Sequence, residues 1–139
     1  DSLVPLARVI PPNLPEAVVL LDRDDGWTAE TMQTALPALL TLGSEYVLLK
    51  GGHLAGAEST DLLAGPEVTQ TLRAPRIATT NDHGTGCTLA SACATGLAQG
   101  RDLSTAVAQA WAYVQEAMAH APGLGKGHGP LDHAWTLRG

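Results

Sequence analysis

The chain has 139 residues, and 45% of them are hydrophobic, so its length and composition suit one domain with a buried core. Its formal net charge is −6 and its eight Lys and Arg residues are scattered, which argues against non-specific nucleic-acid binding because that needs clustered basic side chains. No apolar run reaches the roughly 18 residues of a membrane-spanning helix, and no secretory signal is visible.

The two cysteines, Cys87 and Cys93, lie six positions apart on a predicted helix. They point to different sides of that helix, so we expect them to stay unpaired. Free thiols fit a reducing compartment, and we therefore expect a cytoplasmic protein. The five histidines show no zinc-binding spacing with the cysteines, so the sequence predicts no structural metal.

The first elements in chain order are a short strand and a helix. Residues 7–13 (ARVIPPN) form an apolar run that ends in Pro-Pro-Asn, which is typical of a buried strand that stops at a loop. Residues 14–21 (LPEAVVLL) predict a helix, with Asn13 as its N-cap and Pro15 in its first turn.

A second helix is predicted over residues 28–43 by the spacing of its apolar side chains. Thr28 is its expected N-cap, but Thr31 rather than Glu occupies the capping-box position, so we expect an incomplete box. Pro37 lies in the interior and predicts a kink or a later helix start. Gly43 suits the position just after the last turn.

Residues 45–52 (EYVLLKGG) form a continuous apolar run that ends in Lys-Gly-Gly. This pattern predicts a central parallel strand that is buried on both faces. The stretch that follows is broken by glycines and prolines, and it predicts a loop with one or two short antiparallel strands, at residues 61–65 and 68–75.

Two further helices complete the predicted order. The first runs from about residue 85 to 99 and ends at Gly100, and the second covers residues 103–121 with Ser104 as its N-cap. A glycine-rich tail follows as a loop with room for one short element. This order of strands and helices predicts an α/β fold with a mainly parallel sheet flanked by helices.

Residues 81–88 (NDHGTGCT) are a glycine-rich turn that enters the third predicted helix. Backbone N–H groups at a helix start have no intrahelical partner, and the helix dipole adds partial positive charge, so this turn suits a phosphate group. Cys87 falls in the first turn, where a thiol is favoured as the thiolate and can act as a base or a nucleophile. The pattern alone fits equally a tight turn followed by a cysteine that only packs.

Other phosphate and cysteine motifs do not fit this turn. It lacks the spacing and the lysine of a P-loop. It also lacks the third glycine and the preceding strand of a dinucleotide-binding fingerprint. His83 is near Cys87 in sequence, but nothing else supports a cysteine protease.

A resemblance to a known family covers almost the whole chain. The segment TTNDHGTGCTLASACATGLAQG (residues 79–100) closely resembles the anion-hole segment of the phosphomethylpyrimidine kinases of thiamine biosynthesis, within the ribokinase-like superfamily. PNLPEA (12–17), VLLKGGHLAG (47–56) and HGPLDH (128–133) match further family motifs in the right order. The resemblance implies a ribokinase-like fold, and it makes residues 1–139 the C-terminal, ATP-side part of a single kinase domain.

Two positions depart from the family, and the chain is shorter than the family's domain. Asp82 stands where Thr is usual and Asp132 where Asn is usual, and we expect neither to change the reaction. The chain opens on Asp1 in what looks like mid-domain. A sheet without its first strands leaves an unpaired edge, so we expect these 139 residues not to be stable alone.

The catalytic residues that the resemblance implies lie in the glycine-rich turn. Gly84, Thr85, Gly86 and Cys87 would present backbone N–H groups to the transferring phosphate. Cys87 would also act as the general base. We expect none of the loop histidines to be catalytic: His53, His83, His128 and His133.

The cofactor-binding residues that the resemblance implies are Lys50, Asn13 and Glu16. Asn13 and Glu16 match the family's N-x-x-E segment, which organises Mg²⁺ and phosphates, with Glu16 as the metal ligand. Their positions alone also predict an N-cap and its first-turn partner. Lys50 would neutralise ATP phosphates as a point charge, although a strand-end lysine also snorkels into solvent without binding anything.

The implied reaction is ATP- and Mg²⁺-dependent phosphorylation of 4-amino-5-hydroxymethyl-2-methylpyrimidine or its monophosphate. The expected partners are this small-molecule pyrimidine and, in the full-length form, a second copy in a homodimer, with no nucleic acid and no membrane. Three alternatives stay open. They are a pyridoxal kinase-like enzyme, a nucleotide- or phosphate-binding fragment without catalysis, and a structural half that pairs with another chain through an exposed apolar patch.

Overall fold

The computed structural model describes residues 3–22, 26–52 and 54–137. These residues form two compact units, one that ends at Arg76 and one that begins at Ile77, and each is described by itself. Within the described residues, no helix is long and apolar enough to cross a membrane.

The first unit contains a four-stranded sheet in the order β1-β2-β3-β4. β1 and β2 are parallel, whereas β2–β3 and β3–β4 are antiparallel. The sheet is thus mixed in the described part of the chain, because the predicted hairpin strands extend the parallel pair. The strands are β1 (Val9–Ile10), β2 (Tyr46–Lys50), β3 (Glu58–Ala64) and β4 (Thr69–Pro75).

The helices of the first unit are α1 (Leu14–Leu21) and α2 (Ala29–Leu40), after a 3-10 turn at Val4–Leu6 that the sequence pattern did not predict. The prediction of an incomplete capping box on α2 was wrong. The Thr28 side chain accepts a hydrogen bond from the Thr31 N–H, and the Thr31 hydroxyl oxygen accepts one from the Thr28 N–H at 2.8 Å. A threonine hydroxyl therefore replaces the carboxylate of the usual box. Pro37 had also suggested that the helix starts later in the sequence. That was wrong, since α2 begins directly after Thr28 and includes Pro37.

The core of the first unit lies between its sheet and its two helices. Val47, Leu48 and Leu49 are all fully buried, which confirms the prediction of a strand buried on both faces. Each such aliphatic side chain contributes roughly 1.5–3 kcal/mol of burial free energy. The buried cluster consists of Leu14, Ala17, Met32, Leu36, Leu39, Val47, Leu49, Leu62 and Ala64.

The second unit is built on two packed helices, α3 (Thr85–Ala98) and α4 (Leu103–Ala119), and ends in a short 3-10 turn at Trp135–Leu137. The helices approach closely at Gly96, where a Cβ atom would lie 2.9 Å from the Cβ of Ala106. This close approach explains the small residues of α3, because larger side chains would separate the two helices.

The prediction of Ser104 as the N-cap of α4 was wrong. The cap is Asp102, whose side chain accepts a hydrogen bond from the Thr105 N–H at 2.9 Å. The backbone and side-chain hydrogen bonds from Thr105 lower the pKa of the Asp102 carboxyl below its usual value. Asp102 has the extended backbone that a cap needs, so the helix begins one residue before Ser104.

Candidate functional site

The start of α3 is an uncapped glycine turn, residues 84–87. Gly84 is the N-cap position and has φ = 86°, a left-handed conformation that glycine adopts without steric cost. No side chain caps this helix, although Asn13, Thr28 and Asp102 cap the others.

Three donors of the glycine turn are left open. The N–H groups of Gly84, Gly86 and Cys87 have no acceptor among the described residues, whereas the Thr85 N–H is donated to the Asp82 carbonyl. Three open donors and the positive end of the helix dipole make this turn suitable for an anion.

The two cysteines of α3 have different environments, and both are free. Cys87 is exposed and lines a cavity of about 630 Å³ between α3 and α4. Cys93 is 5% exposed, and burial raises the pKa of its thiol. Cys87 is therefore the cysteine of α3 that solvent and a substrate can reach.

Two histidines to which the sequence analysis gave no role contact the chain on either side of the glycine turn. Before the turn, His128 Nδ1 lies 2.6 Å from Asp82 Oδ1. After it, His133 Nε2 lies 2.9 Å from Thr88 Oγ1. Both histidines belong to the HGPLDH segment. The sequence therefore showed the motif, but it did not show which residues the two histidines contact. His53, in the matched segment 47–56, lies outside the described residues.

In the first unit, Lys50 and Asn13 are neighbours at the carboxyl ends of β1 and β2. They form an isolated parallel bridge, and the Lys50 N–H is donated to the Pro12 carbonyl at 2.9 Å. The carboxyl ends of parallel strands are where α/β proteins collect ligands. Lys50 and Asn13 thus share one edge of the sheet.

Asn13 and Glu16 form a complete capping box. The Asn13 side chain accepts from the Glu16 N–H and the Glu16 carboxylate accepts from the Asn13 N–H, each at 2.8 Å. This confirms the capping interpretation of both residues. In the described part of the chain, no group of three or more His, Cys, Asp or Glu residues could hold a metal ion. A single carboxylate still suits Mg²⁺, which keeps several waters and is bound together with substrate phosphates.

The sequence analysis missed two residues that hold the Lys-Gly-Gly segment. Asp61 is 7% exposed, and its Oδ1 accepts a hydrogen bond from the Gly51 N–H at 2.8 Å. Arg76 donates to the carbonyls of Gly52 and Gly56, and also to those of Leu54 and Glu58. The sequence did contain a sign of this role, since Asp61 is a lone carboxylate just before the apolar residues of a predicted strand. In the structure Asp61 lies opposite Lys50 in the β2–β3 pair.

The mixed sheet, its covering helices and the open helix start are those of a ribokinase-like α/β protein, as solved structures show. The ADP complex of Bacillus subtilis pyridoxal kinase is 33% identical and matches with a TM-score of 0.91, over 99% of this chain and 54% of that one. The Staphylococcus aureus pyridoxal kinase in complex with AMP-PCP and pyridoxal is 32% identical, with a TM-score of 0.91 over 98% of this chain and 51% of that one.

Within that class, the family described as Phosphomethylpyrimidine kinase matches residues 1–132. The hydroxymethylpyrimidine/phosphomethylpyrimidine kinase of Rhizobium meliloti is 44% identical over 96% of this chain and 51% of that protein. Its counterpart in Streptomyces coelicolor is 46% identical over 97% of this chain and 49% of that protein. The chain belongs to the phosphomethylpyrimidine kinase family, and it spans about half the length of these curated relatives.

Proposed function

We propose that the protein carrying this chain transfers the γ-phosphoryl group of ATP to 4-amino-5-hydroxymethyl-2-methylpyrimidine and to its monophosphate, in thiamine biosynthesis. The observation that carries the proposal is the uncapped start of α3, with open N–H groups at Gly86 and Cys87 beside an exposed thiol. Such a start stabilises the negative charge on a transferring phosphoryl group. Membership of the family supports the choice of reaction.

Cys87 acts as the general base for the first transfer. Its thiolate takes the proton of the acceptor hydroxyl, and the hydroxyl oxygen then bonds to the γ-phosphorus. The bond from this phosphorus to the bridging oxygen breaks, and ADP leaves. In the second transfer the acceptor is a phosphate oxygen, which already carries negative charge near neutral pH and needs no base.

Lys50, Asn13 and Glu16 bind the nucleotide and its metal in this proposal. Lys50 pairs with ATP phosphates as a point charge at the end of β2. The Glu16 carboxylate, aligned by its capping bond to Asn13, binds Mg²⁺ through water. Bound Mg²⁺ neutralises charge on the phosphates.

We further propose that the full-length protein is a cytoplasmic homodimer. The two unpaired cysteines support a reducing compartment. The homodimer stays a prediction from the family resemblance.

Pyridoxal phosphorylation is the second candidate, because the solved structures reported above are pyridoxal kinases. The curated pyrimidine kinases are more similar in sequence, at 44–46% identity against 32–33%. We therefore expect the intact protein to use the hydroxymethylpyrimidine with a kcat/KM at least about tenfold above that for pyridoxal, a difference of roughly 1.4 kcal/mol in transition-state binding. Coupled measurement of ADP release with each acceptor in parallel tests this, and a preference for pyridoxal would reverse the assignment.

A further inference from the structure

We propose that residues 128–133, here called the strap, position the glycine turn for catalysis, with His128 and His133 as positioning residues on its two sides. The inference rests on the proposed phosphoryl transfer. It assigns a role to the HGPLDH segment, whose histidines touch none of the open N–H groups of the turn among the described contacts.

The strap is fixed to the chain before the turn by main-chain and side-chain contacts. The His83 N–H is donated to the Gly129 carbonyl, and the Gly129 N–H to the Thr80 carbonyl, each at 3.2 Å. His128 then reaches Asp82 at 2.6 Å. Residues 80–83, which lead directly into the turn, are therefore held at three positions, Thr80, Asp82 and His83.

The strap is fixed after the turn as well. His133 bonds to Thr88, the residue that follows the turn, and its carbonyl accepts a hydrogen bond from the Tyr113 hydroxyl at 2.7 Å. Asp132 is 6% exposed, and its N–H is donated to the Ala117 carbonyl of α4 at 3.0 Å. The main chain at Asp132 and His133 is thus held by α4, while the imidazole of His133 contacts α3.

The glycine turn needs such external support. Two glycines in four residues leave the backbone with many accessible conformations, and no side chain caps it. Anion stabilisation in a transition state depends on donors that are fixed before the reaction. The strap restricts the conformation of the turn because it holds the residues on both of its sides.

The two histidine contacts contribute little to global stability. The His128 and Asp82 side chains are 75% and 51% exposed, and exposed ion pairs are screened by solvent. Asp82 also places a carboxylate two residues before the turn, where it opposes a bound phosphate. The His128 ring engages this carboxylate through its Nδ1, 2.6 Å from Asp82 Oδ1.

The experiment compares His133→Ala and His128→Ala in the intact protein with His120→Ala as the matched control. His120 is also exposed, but its described contacts are with the Glu116 carbonyl and carboxylate and with the Trp135 ring, and none is with the glycine turn or the strap. We expect His133→Ala to lower kcat about tenfold with little change in KM for the pyrimidine, since misplaced donors affect the transition state most. We expect His120→Ala to match the wild type.

Rescue and double variants separate positioning from simple loss of folding. His133→Gln keeps a polar group near Thr88 and should recover most of kcat, and Thr88→Val should reproduce His133→Ala without adding to it in the double variant. His128→Ala should raise KM for ATP about fivefold through the unopposed carboxylate, and Asp82→Thr in the same chain should restore it.

Each outcome supports or overturns the proposal that the strap positions the glycine turn. Variants that behave like His120→Ala in an active enzyme, or losses at Thr88 and His133 that simply add, overturn the positioning role. A wild type that transfers no phosphoryl group overturns the proposed function and this inference with it. Reduced kcat at an unchanged melting temperature, with rescue by His133→Gln, supports the strap.

Discussion

Replacing Cys87 with alanine should lower phosphoryl transfer to the pyrimidine hydroxymethyl group by about 100-fold or more, the usual loss when a general base is removed. The acceptor hydroxyl then keeps its proton in the transition state, because no other cysteine of α3 is accessible. Transfer to the pyrimidine monophosphate should fall much less, since its phosphate oxygen is already ionised. Initial rates with the two acceptors, measured on the same preparation, give this ratio directly.

Cys93→Ala is the matched control for Cys87. The Cys93 thiol is buried and its pKa is raised, so it stays protonated and cannot serve as a base. Its loss should cost about 1 kcal/mol of stability and leave turnover near that of the wild type. If Cys87→Ala retains turnover with the hydroxymethyl acceptor within a few-fold, Cys87 only packs at the start of α3.

Gly51→Ala should strongly destabilise the first unit. A Cβ atom at this position would overlap the Thr60 carbonyl and lie 2.9 Å from the Met32 side chain. The backbone must therefore shift, and the hydrogen bond from the Gly51 N–H to the buried Asp61 carboxylate is lost with it. We expect a loss of about 3 kcal/mol in the free energy of unfolding, together with a higher KM for ATP as Lys50 moves.

Gly52→Ala is the control, one residue further along the same segment. A Cβ atom at Gly52 meets nothing within 4 Å, and its φ is not in the left-handed region. Its effect should stay within about 0.5 kcal/mol in urea unfolding of the intact protein. Equal unfolding midpoints for the two variants would show that the tight contact at Gly51 relaxes without cost.

Local pattern was enough to predict most elements of the fold. The continuous apolar run before Lys50 identified a strand buried on both faces, and Asn13 followed by Pro15 identified the start of α1. Where two cap-forming residues lay close together, as Asp102 and Ser104 do, the pattern chose the wrong one. The N-cap is the residue that adopts extended backbone angles, here Asp102, and the residue types alone do not specify which one does so.

The candidate site was predictable only as separate motifs. The contacts that organise it join residues that are distant in sequence: Asp61 and Gly51 are 10 positions apart, and His133 and Thr88 are 45. No helical or strand period links such pairs, because they arise from tertiary packing. The HGPLDH segment was therefore recognised as a motif from the sequence. The contacts of its histidines with Asp82 and Thr88 are known only from the structure.

The most direct test of the central claim is to supply the intact protein with Mg-ATP and the hydroxymethylpyrimidine and to follow all phosphorus species by ³¹P NMR. The account predicts a phosphomonoester signal for the pyrimidine monophosphate, then the two signals of its diphosphate, with one ADP formed for each phosphoryl group transferred. ADP that accumulates with inorganic phosphate alone, or no change in ATP, would contradict a phosphomethylpyrimidine kinase activity. The glycine turn would then be an anion-binding helix start without transfer chemistry.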